Sequence, residues 1–197
     1  MDRTISVVVS VYNEEKALED FFRETSRVLE ETGWDWELIF VNDGSADKSL
    51  SVLKGLAAQD KRVKLVSFSR NFGHEAAMIA GMDFSSGEVV VCMDADLQHP
   101  PACIPEILKK REEGYEVISM VRTKNRTAGL IKNITSSGFY WLINHISDVH
   151  FEPNASDFFA VSRRVARVMR ENYRERVRFL RGYVQNVGFK RTTIEYE

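Results

Sequence analysis

Cysteine is almost absent from this 197-residue chain, with Cys92 and Cys103 its only two examples. Two unpatterned thiols make neither a disulfide framework nor a zinc site, so both are read as small core residues of a protein from a reducing compartment. Long apolar runs are also missing. Nothing approaches the roughly 20 consecutive residues that span a bilayer, and no signal peptide follows Met1-Asp2-Arg3-Thr4, so the chain is expected to be soluble or peripheral. A formal charge of −2 gives no whole-protein field for nucleic acid. No Walker loop is present and no GxGxxG follows the first apolar run, which removes most support for kinase-like and dehydrogenase chemistry. Repeats, low-complexity tracts and linkers are absent as well, leaving one globular domain with 44% hydrophobic residues, enough for a full core.

What is present is an alternation of short β-branched runs with amphipathic stretches, the pattern of βα units around a buried parallel sheet. Strands are expected at Ile5 to Val11, Glu37 to Val41, Val63 to Phe68, Glu88 to Met93 and Tyr115 to Val121, with strand-like sequence returning at Phe158 to Ser162 and Val184 to Ile194. Leu18, Phe21, Phe22, Thr25, Val28 and Leu29 recur at helical spacing. So do Leu50, Leu53, Leu56 and Ala57 after a cap expected at Ser45 or Asp47, and a helix starts near Pro100 and Pro101. From Arg126 to Val149 the spacing suggests one or two helices, either core-facing or interfacial with Tyr140 and Trp141 as an aromatic band. Charge is uneven: 13 acids against 6 bases from Met1 to Asp60, but 10 bases against 2 acids from Ser162 to Arg191. That basic segment suits either an anionic partner or a solvated helix face.

In an open parallel sheet, ligands collect beyond the carboxyl ends of the strands. The polar residues there are Tyr12-Asn13-Glu14-Glu15, Asn42-Asp43-Gly44-Ser45, Arg70-Asn71-Phe72-Gly73-His74 and Asp94-Ala95-Asp96-Leu97-Gln98. Residues two apart at an extended strand end project to one side, so Asp94, Asp96 and Gln98 can aim three oxygen-bearing groups at one point. Such a donor set suits a hard cation, Mg²⁺ or Mn²⁺, completed by phosphate oxygens. Glu14 and Asp43 can accept hydrogen bonds from a nucleoside, although Asp43 in Asp-Gly-Ser also suits a turn or cap.

Five ordered segments then resemble one family. They are Val9-Ser10-Val11-Tyr12-Asn13-Glu14-Glu15, Val41-Asn42-Asp43-Gly44-Ser45, Ser69 through Ala77, Asp94 through Pro101, and Phe139-Tyr140-Trp141-Leu142-Ile143-Asn144. Together they are similar to the family-2 glycosyltransferases of GT-A fold, especially the polyisoprenyl-phosphate type. The resemblance covers nearly the whole chain. It implies an α/β, Rossmann-like, mostly parallel sheet flanked by helices, in a single catalytic domain over residues 1–197: a nucleotide-sugar half, 1–100, and an acceptor half, 101–197. It further implies nucleotide-sugar contacts from Tyr12, Glu14, Asp43, Asn71 and Asp94, and a cation, Mg²⁺ or Mn²⁺, on Asp96 and Gln98. Arg122 and Lys132 are expected at the acceptor phosphate and Asp157 as the candidate base, while Lys124 and Arg126 are ordinary surface lysine and arginine.

The implied reaction is inverting, metal-dependent transfer of one sugar from a UDP- or GDP-linked donor to a polyprenyl phosphate, at the cytoplasmic face of the membrane. Arg176 to Arg181 lacks the Gln-x-x-Arg-Trp signature of processive synthases, favouring single-sugar addition. Two other readings stay open: a transferase for a soluble or glycan hydroxyl, and a non-catalytic nucleotide-sugar or membrane-binding module. Three departures from the family pattern are Ser10 in place of proline, Asn42 in place of the first acid of Asp-Asp-Gly-Ser, and Phe159 in place of arginine. Many relatives continue past this point into membrane helices that are absent from this chain, so a truncated soluble domain is one reading; oligomeric state is left open.

Overall fold

The protein is described from a computed structural model over residues 3–123, 155–173 and 180–196. Seven strands form one sheet: β1 (Thr4–Val11), β2 (Asp35–Asn42), β3 (Val63–Ser67), β4 (Val89–Asp94), β5 (Val117–Arg122), β6 (Ala155–Ser162) and β7 (Arg191–Tyr196), in spatial order β3-β2-β1-β4-β6-β5-β7. β3, β2, β1 and β4 pair in parallel, as do β5 and β7, whereas β6 runs antiparallel to both of its neighbours. The expected mostly parallel sheet with flanking helices is therefore present.

Strand composition explains the layering. Along β1, Val7, Val9 and Val11 enter one apolar core while Val8 enters the other, because successive side chains of a strand point to opposite faces. The first core is covered by α1 (Leu18–Thr32) and by α4 (Ile104–Glu112), which continues a 3₁₀ turn at Pro101–Cys103. α2 (Ser49–Gln59) packs Leu53 and Leu56 against the same side. The second core is covered by α3 (His74–Phe84), α5 (Arg163–Asn172) and α6 (Leu180–Asn186).

α1 buries Leu18, Phe21, Thr25, Val28 and Leu29 and ends at Gly33, whose φ of 67° places it in the left-handed region glycine tolerates. α3 offers no such stripe: Ala77, Met78, Ile79, Gly81 and Met82 are all buried, so its apolar residues do not alternate with polar ones. Cys92 is buried and Cys103 half-buried, in keeping with small core residues.

One local expectation is corrected. The stretch from Val184 to Ile194 is not one strand. Leu180 and Val184, four apart and buried, belong to α6, and β7 begins only after Gly188 reverses the chain at φ 77°. Of the two residues expected to cap α2, which begins at Ser49 after Lys48, Asp47 does so by accepting the Ser49 N–H on Oδ1 at 2.9 Å. Ser45 Oγ accepts the Asn13 N–H, and Asp47 Oδ2 accepts the Glu15 N–H, so Asp47 joins the start of α2 to the loop after β1. The segment from Arg126 to Val149, Lys124 and Lys132 lie outside the described residues.

Candidate active site

The loops after β1 and β2 are bound to each other at the carboxyl edge of the sheet. Asn13, at a positive φ of 58°, accepts the Ala46 N–H on Oδ1 at 2.8 Å. The Glu14 N–H reaches Ser49 Oγ at 2.9 Å, and the Lys48 N–H reaches Glu15 Oε2 at 2.8 Å. Tyr12 is exposed beside them, and the Glu14 carboxyl is half-buried.

Asn42 and Asp43 both face inward. Asn42 accepts the Ser45 N–H and donates through Nδ2 to Ser67 Oγ, so the amide that replaces the usual acid ties β2 to β3. Asp43, 2% exposed, accepts the Phe72 N–H on Oδ1 at 2.7 Å and the Gly73 N–H on Oδ2 at 3.0 Å. Its carboxylate thus fixes the loop that leads into α3; the structure gives it a turn-holding task at the position expected to meet the nucleoside. Asn71 and Phe72 are exposed on that loop, and the Arg70 guanidinium lies 4.0 Å over the Phe72 ring.

The Asp94 segment departs from the expected extended geometry. β4 stops at Asp94, Leu97 adopts a positive φ of 61°, and the Gln98 N–H folds back onto Asp96 Oδ1 at 3.0 Å. Asp96 and Gln98 are exposed on this turn, while Asp94 remains at the strand end. Gln98 Oε1 accepts from the Arg122 guanidinium at 3.2 Å, which brings the end of β5 to the same edge. Among the described residues no three His, Cys, Asp or Glu side chains converge as a metal cage.

Antiparallel pairing then delivers Asp157. β4 and β6 are last paired at Cys92 and Phe159; two residues further along each strand stand Asp94 and Asp157. Phe159 itself is buried in the second core, so the departure from arginine at this position is a packing choice. His74, the first residue of α3, faces both acids: Nδ1 lies 3.4 Å from Asp94 Oδ1 and Nε2 lies 3.8 Å from Asp157 Oδ2. His99 is buried against Phe158, their ring centroids 5.1 Å apart, and its Nδ1 accepts the Asp94 N–H at 3.0 Å. That bond leaves Nδ1 without a proton, so its 3.6 Å approach to Asp94 Oδ2 is not an ion pair.

Electrostatics reflect this crowding. Burial pushes the Asp94 carboxyl up, opposed by His74 and reinforced by Asp96 and Asp157. The Glu14 carboxyl is also raised, first by burial and then by Asp96, Asp94 and Asp47. Carboxylates from two loops therefore repel one another across one space, and a divalent cation is the chemistry that relieves such repulsion. The donor set of Asp96, Gln98 and neighbouring acids is all oxygen, which fits Mg²⁺ or Mn²⁺ sharing its shell with phosphate. A separate cleft between α3, α5 and α6, lined by residues such as Ile79, Met169 and Tyr183, shares no residue with this cluster.

Tyr12, Glu14, Asp43, Asn71, Asp94, Asp96, Gln98, Arg122 and Asp157 thus all lie at or near one edge of the sheet, on loops and strand ends. Sequence reasoning gave no role to His74 and His99, although both stand inside the family-like segments.

A mostly parallel sheet with one antiparallel strand, carrying acids at the ends of β4 and β6, defines the GT-A class of sugar transferases. The chain belongs to glycosyl transferase family 2, whose family model matches residues 6–181. A glycosyltransferase of Bacillus subtilis strain 168 is 42% identical over 191 residues, covering 97% of this chain and 59% of that protein. The bactoprenol glucosyl transferase of Shigella phage SfV is 38% identical over 195 residues, covering 98% and 62%. The chain therefore spans about three fifths of the length of these relatives. Among solved structures, Mycobacterium tuberculosis glucosyl-3-phosphoglycerate synthase in complex with Mn²⁺, UDP-glucose and phosphoglyceric acid matches with a TM-score of 0.58 at 24% identity, covering 83% of this chain and 58% of that one. Staphylococcus aureus TarS matches with a TM-score of 0.56 at 15% identity, covering 97% and 58%. Both structural matches speak to the fold.

Proposed function

We propose that this domain transfers a single sugar, with inversion, from a nucleoside-diphosphate sugar to a polyprenyl phosphate at the cytoplasmic face of a membrane. The observation that carries the reading is that Asp94, at the end of β4, and Asp157, near the start of β6, both approach His74 beside the turn holding Asp96 and Gln98. One acid is thereby assigned to the donor side and another to the acceptor side of one reaction centre. Two kinds of relative support it: glycosyl transferase family 2 supplies the chemistry, and bactoprenol glucosyl transferases of similar sequence suggest the lipid phosphate.

In this reading Tyr12, Glu14 and Asn71 contact the nucleoside, Asp43 holds the loop bearing Asn71, and Asp94 meets the ribose and diphosphate. Asp96 and Gln98 hold Mg²⁺ or Mn²⁺; when bound, the cation supplies charge neutralisation to the departing diphosphate. Arg122, at the end of β5, offers a planar fork to phosphate oxygens, and Lys132 is assigned the same partner. Asp157 orients the acceptor for attack from the face opposite the leaving group. A phosphate monoester with a second pKa of about 6 is already largely ionised near neutral pH, so Asp157 aligns it more than it deprotonates it. A hydroxyl acceptor would need the carboxylate as a base.

Asp96→Ala tests the metal assignment. The parent protein is expected to gain thermal stability from a matching nucleotide sugar with Mn²⁺, since a ligand that binds only the native state raises its midpoint. Asp96→Ala is expected to lose that gain while keeping the ligand-free midpoint; equal stabilisation of both proteins contradicts the assignment.

A further inference from the structure

We infer that His74 is a positioning residue that couples the donor-side Asp94 to the acceptor-side Asp157, one ring nitrogen serving each carboxylate. The inference rests on the assignment of Asp157 to the acceptor side.

The backbone that carries the ring is anchored on both sides of His74. Asp43 accepts the N–H groups of Phe72 and Gly73, immediately before His74, and so fixes the start of α3. One residue further on, Glu75 Oε1 accepts the Leu180 N–H at 3.0 Å and ties the same turn to α6. These two anchors fix the start of α3 beside the adjoining ends of β4 and β6. Nδ1 stands 3.4 Å from Asp94 Oδ1, and Nε2 stands 3.8 Å from Asp157 Oδ2.

An ordinary packed histidine satisfies both of its nitrogens, because an unpaired buried polar group costs about 1–3 kcal/mol. His74 does not. Its Nε2 is shielded from solvent and has no hydrogen-bond partner among the described residues, since 3.8 Å is beyond hydrogen-bond length. The unspent nitrogen points at the one acid that has to be aligned when the acceptor arrives. A small movement of β6 toward α3 would close this gap, and catalytic hydrogen bonds are often long before substrate binds. His99 cannot substitute, for its Nδ1 is committed to the Asp94 backbone and its ring is packed on Phe158.

The two nitrogens can be separated experimentally, because asparagine places its amide near Nδ1 and glutamine places its amide near Nε2. In the transfer assay His74→Ala is expected to lower kcat about tenfold or more, with the donor KM changed less than about threefold. His74→Gln should recover part of kcat, and His74→Asn should recover less. In an Asp157→Asn background, His74→Ala should cost little more, because residues that act as a unit are not additive. Parental kcat in His74→Ala, or a full independent loss in the double variant, would overturn the inference.

A second readout needs no acceptor. In ¹⁵N-histidine spectra of the intact chain the His74 Nε2 resonance should move on Asp157→Asn, and Nδ1 on Asp94→Asn. An Nε2 signal indifferent to Asp157→Asn overturns the coupling even if His74→Ala does not fold. Absence of transfer to polyprenyl phosphate by the parent, with the Nε2 response intact, would fault the acceptor assignment alone.

Discussion

At the scale of single residues the site is a set of carboxylates with divided tasks. Asp43 is buried with both oxygens bonded to backbone N–H groups, Asp94 is half-buried between two histidines, and Asp96 is exposed on a turn. Asp157→Asn keeps the shape of the side chain and removes its charge, so kcat should fall about 10²–10⁴-fold if the acceptor is a hydroxyl. The fall should be smaller for a phosphate acceptor that needs only alignment, and kcat with each acceptor type decides between them. Gly44 has a sharper constraint. Its φ is 67°, and a Cβ there would meet the backbone of Arg70 and Asn71. Gly44→Ala should cost about 1–3 kcal/mol in chemical denaturation and weaken donor binding, because the strain falls on the loop that Asp43 secures.

At the scale of elements, legibility followed how directly a residue pattern reports burial. β1, β2, β4 and α1 were readable because β-branched runs and a 3.6-residue stripe seldom arise except where side chains are buried at strand or helix spacing. α3 gives no stripe because most of its apolar residues are buried, and the end of α6 resembles a strand because Val184 and, just past the helix, Val187 are β-branched. The Asp94 turn was anticipated as a ligand-bearing edge but with the wrong backbone; the fold-back of Gln98 onto Asp96 depends on a positive φ at Leu97 that no residue type announces. The histidine contacts were illegible for another reason. They arise from α3, β4 and β6 meeting in space, and nothing local encodes that meeting.

The opposite end of the sheet carries its own prediction. On β2, burial pushes the Glu37 carboxyl up, but Lys64, Ser6 and Ser86 outweigh it and hold the group below its ordinary value of 4.5. A carboxyl depressed by folding contributes stability that is complete above 4.5 and is lost as pH falls through the lower folded value. Glu37→Gln should therefore be less stable near neutral pH and show a flatter loss of stability in acid than the parent, as measured by denaturant unfolding across pH. An unchanged acid limb contradicts this role for Glu37.

At the scale of the whole molecule, the donor loops of β1 and β2, the Asp94 turn and the incoming β6 all open at one edge of the sheet. No described helix is long and apolar enough to cross a membrane, and under the proposed function the lipid-linked acceptor is met at that edge. The decisive measurement is transfer of labelled sugar from a panel of UDP- and GDP-sugars to a polyprenyl phosphate in mixed micelles, with Mg²⁺ or Mn²⁺ and with chelator. A lipid-extractable product carrying one sugar is expected, formed from one donor, dependent on the cation, lost in Asp96→Ala and reduced in Asp157→Asn. Label that reaches only soluble hydroxyl acceptors, or a lipid product formed equally well by Asp96→Ala in chelator, would contradict lipid-directed, metal-dependent transfer at this edge.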